Sequence, residues 1–340
     1  ALRQKDSNGT WHPRYDVVVV ARPEKAFTEP QKAVLDQYLM RGGRLLWLMD
    51  AGDGSLDSLK GRALYDAMPY HLNLDDMFFR YGFRIRPEML LDRNAAPSPV
   101  VTGFMGEQPI IEFLPNYYCP VVEPEPSRMG EAACLAKGTG SVRLEVAAGI
   151  DTIENGLKKT PLLQTSAYSF KVRLPHAMSA DLMREAPDLR RFDQGRQTVA
   201  LLLEGRFPTA YPLVKPGLEK AEGFSFVKES EPSAMIVAGD GDMARNDFLP
   251  DGQALPLGFD RYARRMYANG DFLVNAVHYL AGRQEWIDLK PRQVRLRLLD
   301  KAALEKHRKK YTVLAFVLPL GAVFLFGVSF LAFRRKRYVA

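Results

Sequence analysis

A chain of 340 residues that is 46% apolar and 26% charged has the composition of an ordinary globular protein, long enough for one large or two medium cores. Disorder is thereby excluded as the default state. From Lys301 onward there are nine Lys or Arg and one acid, Glu305, so the preceding part holds 38 basic and 39 acidic residues and the net charge of +7 belongs to the C-terminus. A nucleic-acid partner is not expected, because it would want a basic stripe with interleaved aromatics on the folded body.

The chain opens at Ala1 with no Met and no apolar leader, which predicts that it is the later part of a longer protein. Residues 15–21 (YDVVVVA) form a β-branched run expected as a strand buried on both faces of a parallel sheet. A helix should follow, with Thr28 and Gln31 as a capping box, Pro30 in the first turn and an apolar stripe of Val34, Leu35, Tyr38 and Leu39 ending at Gly42-Gly43. Residues 44–50 (RLLWLMD) are the next buried strand, completing a βαβ unit. Residues 74–81 predict a short helix, and the Pro- and Gly-rich stretch 87–140 an irregular or β-rich insertion with short strands, such as 117–122.

Strand signals return at 162–166, 198–204 and 234–239, with a helical stretch at 179–185. Residues 271–281 (DFLVNAVHYLA) predict an amphipathic helix packed through Phe272, Val274, Ala276, Val277, Tyr279 and Leu280. Residues 294–299 (VRLRLL) alternate as an edge strand does. The organisation expected is an α/β domain over 1–300, a basic linker over 301–310, a membrane helix over 311–333 and a basic tail over 334–340.

The 23 residues 311–333 contain no charge. At ~1.5 Å rise per residue they exceed the ~30 Å hydrocarbon core of a bilayer. Pro319, Gly321 and Gly327 are compatible with a membrane helix. Orientation does not follow from charge, since Lys306, Arg308, Lys309 and Lys310 on one side balance Arg334, Arg335, Lys336 and Arg337 on the other.

In an open α/β sheet, ligands bind beyond the carboxyl ends of the strands. Two acidic loops occupy such places: Asp50, Asp53 and Ser55 after one strand, and Asp240, Asp242, Asn246 and Asp247 after another. These carboxylates could hold a cation or hydrogen-bond a sugar or peptide. The alternative is that Asp and Gly build the turns and cap the next helix. No Ser or Cys sits on a glycine-flanked elbow, and neither a phosphate-binding nor a dinucleotide-binding fingerprint is present, so no catalytic residue and no cofactor is predicted. Cys119 and Cys134 are two in number and lack metal-ligand spacing; unpaired thiols and a disulfide both remain open.

The segments KAFTEPQKAVLDQYLMRGGRLLWLMDA, ENGLKKTPLLQTSAYS, QTVALLLEGRF, MIVAGDGDMARND, LPLGFDRY and FLVNAVHYLAG, followed by a membrane helix ending in RRKRY, resemble the gliding-motility-associated ABC transporter auxiliary proteins of the GldG family, in the family's order and over nearly the whole chain. The resemblance implies a three-layer, mostly parallel α/β fold like class I glutamine amidotransferase-like or flavodoxin-like domains, without the catalytic cysteine. It also implies a periplasmic domain, a cytoplasmic C-terminus in a bacterial inner membrane, and the permease GldF and the ATPase GldA as partners beside membrane lipid. It carries over no ligand residue.

Overall fold

The computed structural model describes residues 2–5, 11–184, 188–211, 226–289 and 308–338, which belong to two units, Ala1–Gln293 and Val294–Ala340. In chain order the framing elements of the first unit are β1 (Val17–Ala21), α1 (Glu29–Met40), β2 (Arg44–Leu48), α2 (Asp75–Tyr81), β3 (Glu88–Asp92), β4 (Ala95–Met105), β5 (Gln108–Val122), β6 (Lys158–Gln164), β7 (Thr198–Gly205), β8 (Ser233–Ala238) and α3 (Asn269–Leu280).

Strand β2 shows why this sequence makes layers. Successive side chains of a strand point to opposite faces, and four large apolar residues in a row therefore require cover on both. Leu45 and Trp47 pack with Leu35, Tyr38 and Leu39 of α1 and with Met77, Phe78 and Tyr81 of α2. Leu46 and Leu48 pack with Phe272, Ala276 and Leu280 of α3 and with the helical turns at Pro126–Met129 and Gly130–Ala136. Strands β7 and β8 divide the same way, Leu201, Leu203, Met235 and Val237 to one face and Ala200, Leu202, Ile236 and Ala238 to the other.

The central sheet runs β6-β7-β8-β2-β1. Strands β1, β2 and β8 are parallel, whereas β7 is antiparallel to both β8 and β6. The expected mostly parallel sheet is therefore a mixed one. The polyvaline strand β1 lies at the sheet edge and not in its interior, leaving Val19 46% exposed.

The helix after β1 begins as expected, with Gln31 Oε1 accepting from the Thr28 backbone N–H at 2.9 Å. It ends at Gly42, whose φ of +82° suits glycine, and at Gly43, where a Cβ would meet the Tyr38 ring at 2.5 Å. Val34 is exposed and Ala33, Asp36 and Met40 are buried, so the buried stripe is rotated from the one expected. In α3, likewise, Val274 is exposed and Leu273 is buried.

The 87–140 region is more regular than its prolines suggested. Strands β4 and β5 form one long antiparallel hairpin of 11 and 15 residues, not short strands. Residues near 179–185 form the strand His176–Ser179 and the single turn Ala180–Met183; residue 185 lies outside the described residues, as do 294–299. Cys119 and Cys134 are both free.

The second unit is described by one helix, α4 (Arg308–Tyr338), with Pro319 inside it. Its segment Thr312–Arg337 is long and apolar enough to cross a membrane, and its apolar stretch is unburied.

Candidate functional site

Parallel strands β1, β2 and β8 bring three chain turns to one edge of the sheet, and Arg22, Asp50 and Asp240 follow their carboxyl ends. Asp50 Oδ1 accepts the Gly241 N–H at 2.6 Å. Arg22 reaches Asp242 at 2.6 Å and Asp50 at 3.5 Å. Asp242 also meets Arg245 at 3.1 Å. The two predicted acidic loops are thus joined at their bases, through Asp50, Asp240 and Asp242.

Glu145 closes this cluster from a distant part of the chain. Its N–H donates to Asp240 Oδ2 at 2.8 Å, and its own carboxylate accepts the Leu56 N–H at 3.1 Å. Asp240 is 1% exposed, and its Oδ1 has no hydrogen-bond partner among the described residues. Burial pushes the Asp50 carboxyl up to about 7, opposed by the Gly241 N–H and reinforced by Asp242. Burial and the neighbouring Asp50 hold Asp240 well above the ordinary carboxylate range. Burial also raises Glu145, against Arg143 and Arg245. For Arg22, burial opposes the charge but Asp242 and Asp50 outweigh it, so its affinity for the proton is raised.

The cluster floors a cleft of about 370 Å³ lined by Asp240, Asp242 and Asp247 with Arg143, Glu145, Arg245, Arg261, Asp57 and Lys60. Most of these charges are already paired: Lys60 with Asp57, Arg245 with Asp57 and Asp242, Arg261 with Asp247. A guest must therefore be polar enough to exchange partners with them. Asp53, Ser55 and Asn246 do other work. Asp53 accepts from Tyr65 Oη at 3.0 Å and the Met68 N–H at 2.7 Å. Ser55 Oγ lies 3.0 Å from Ser58 Oγ and accepts the Ser58 N–H. Asn246 donates to the Leu255 carbonyl. These three make turns.

Arg143, Glu145 and Arg245 were not singled out from sequence; no spacing links them to strand ends, and only Arg245 lay inside a quoted acidic loop. Arg143 touches Cys119 Sγ at 3.4 Å, yet burial pushes that thiol up to about 12 and keeps it protonated. No histidine is among the described residues lining the cleft. His278 is stacked on Trp286 at 6.3 Å, and His71 and His176 are exposed. A second pocket, of about 530 Å³ and lined by Phe170, Arg173, His176, Arg191 and Phe192, contains none of the predicted residues.

No curated protein matches the chain. Among solved structures, the mmIFT52 N-terminal domain matches 78% of this chain and 76% of its own at 12% identity, with a TM-score of 0.37. The profile of the family described as an ABC-type uncharacterized transport system matches residues 3–276. The chain belongs to that family of ABC-type transport-system auxiliary proteins.

Proposed function

We infer that the chain is a non-catalytic, membrane-anchored auxiliary subunit of an ABC-type transport system in a bacterial inner membrane, with its α/β unit periplasmic and its C-terminus cytoplasmic. The observation that carries the anchoring is the 26-residue segment Thr312–Arg337, uncharged as far as Phe333, unburied in its apolar stretch, preceded by Arg308, Lys309 and Lys310 and ending in Arg334, Arg335, Lys336 and Arg337. Orientation rests on the resemblance to gliding-motility-associated proteins, because the flanking charges balance. So do a role in gliding motility or surface-protein export and the choice of GldF and GldA as partners. A non-catalytic role is supported by the inaccessible, protonated Cys119 and by the mutual pairing of the charges in the cleft. The test is co-expression with the permease and ATPase of the system, detergent solubilisation and affinity purification of the chain. Recovery of both subunits is expected; recovery of neither overturns the reading.

A second reading is favoured by one observation, the polar cleft at the carboxyl ends of parallel strands with the unpartnered Asp240 Oδ1 beneath it. The chain would then hold a sugar, peptide or cation for transport. A ligand at a hundred times its Kd adds ~2.7 kcal/mol of stability, which a thermal-shift screen detects. Silence across metals, sugars and peptides retires this reading.

A further inference from the structure

The β4–β5 hairpin exposes more apolar surface than a folded body needs. Val101, Phe104, Met105, Ile110, Ile111 and Phe113 are each between 36% and 74% exposed. Neighbours along a strand face opposite ways, so Phe104 and Met105, like Ile110 and Ile111, place apolar side chains on both faces of the arm. Its base is held by the short strand Val142–Arg143, which pairs only with Val121 and Val122. The Leu144 and Val146 N–H groups extend that hold to the Pro120 and Tyr118 carbonyls, and toward the tip from there the arm has no ladder partner on either outer edge among the described residues.

Three features narrow what covers it. Four prolines, Pro97, Pro99, Pro109 and Pro115, remove N–H donors from the arm. Prolines within sheets sit where the missing donor faces outward, so these edges resist strand addition, including edge pairing with a second copy. Between Arg93 and Arg128 there is no Lys or Arg, whereas Glu107 at the tip and Glu112 along the arm are exposed and lack ion pairs among the described residues. An anionic bilayer would repel such an arm, and tip-first insertion into any bilayer would carry the Glu107 carboxylate into hydrocarbon. A protein groove can instead receive both apolar faces and meet the two carboxylates with cations at its rim.

The geometry points to the β4–β5 arm as the docking element of this chain, inserted into an apolar groove rimmed by Lys or Arg on another subunit of the ABC-type transport system. The identity of that subunit rests on the proposed function above; the chemistry of the groove does not.

The test uses the full chain with a photoreactive phenylalanine analogue at position 104, co-expressed with the permease and ATPase and irradiated in membranes. The expected adduct joins the arm to the permease, the subunit that reaches the periplasmic side, beside Lys or Arg residues. Phe104→Ser combined with Ile111→Ser should lower recovery of the subunits at least tenfold, and Glu107→Lys combined with Glu112→Lys several-fold, with thermal melting unchanged. Equal recovery with the arm variants overturns the docking role while the transport-system reading stands. Failure of the unaltered chain to recover either subunit overturns both. Adducts confined to lipid, with arm-dependent flotation on phosphatidylcholine vesicles, assign the arm to the membrane instead. Adducts to a second copy, with self-association lost in the serine variant, assign it to a dimer, and each of these two results overturns the proposal.

Discussion

Substituting Asp50 by Asn tests whether the cluster at the strand ends is as deeply desolvated as its geometry requires. The Asp50 carboxyl sits at about 7 in the folded protein against an ordinary value of 3.8. Its folded value lies above its unfolded one, so between them the native state binds more protons, and raising the pH through that window costs stability. At about 1.4 kcal/mol per pH unit the full effect is at most about 4 kcal/mol. The value of about 7 already includes the Gly241 N–H and Arg22 at 3.5 Å, which stabilise the charged form against the burial that raises it. Asn keeps the shape and one acceptor for that N–H but cannot ionise. Urea titrations from pH 5 to 8, read from tryptophan fluorescence with the fully buried Trp47 as reporter, should show the unaltered chain losing stability as pH rises. The Asp50→Asn chain should lose less over the same interval, by about 2–3 kcal/mol. Parallel curves for the two proteins would refute the assignment of a raised Asp50.

Phe272→Ala should cost about 3–5 kcal/mol in the same assay, because a fully buried ring of α3 would leave a cavity against the sheet. Asp36→Ala should cost about 3 kcal/mol or more, since this buried carboxylate accepts from Tyr81 Oη, Thr209 Oγ1 and the Ala210 N–H and removing it orphans all three. Thiol labelling of the native chain near pH 8 should modify Cys134 much faster than Cys119, which is fully buried and held protonated; equal rates would contradict that placement.

Strand β2 and helix α1 were legible in the sequence because local pattern and tertiary role agree. An apolar run as dense as RLLWL needs cover on two faces, and a Thr-Glu-Pro-Gln start followed by Gly-Gly marks both ends of a helix. Position within the sheet was not legible. A run such as VVVV reads as interior, but strand order is set by long-range pairing, and here it leaves β1 at the edge. The antiparallel placement of β7 was hidden for the same reason. Prolines concealed the β4–β5 arm, since they argue against interior strands but are tolerated on the open edges of a hairpin.

The candidate site was half visible. Asp50, Asp240 and Asp242 stood out because acidic residues after strands mark the carboxyl edge of a sheet, and the fold brings them together. Their partners Arg22 and Glu145, and Arg143 beside Glu145, come from separated segments, and charge compensation inside a fold leaves no spacing to recognise. Asp53, Ser55 and Asn246 carry the same local signal, and the structure engages them in hydrogen bonds within their own or neighbouring loops.

Alkaline carbonate extraction of membranes carrying the full chain tests the anchoring most directly. Retention in the membrane pellet, with release of a chain ended at residue 307, is the result the account predicts for a lipid-solvated Thr312–Arg337 helix. Release of the full chain into the supernatant without detergent would contradict it.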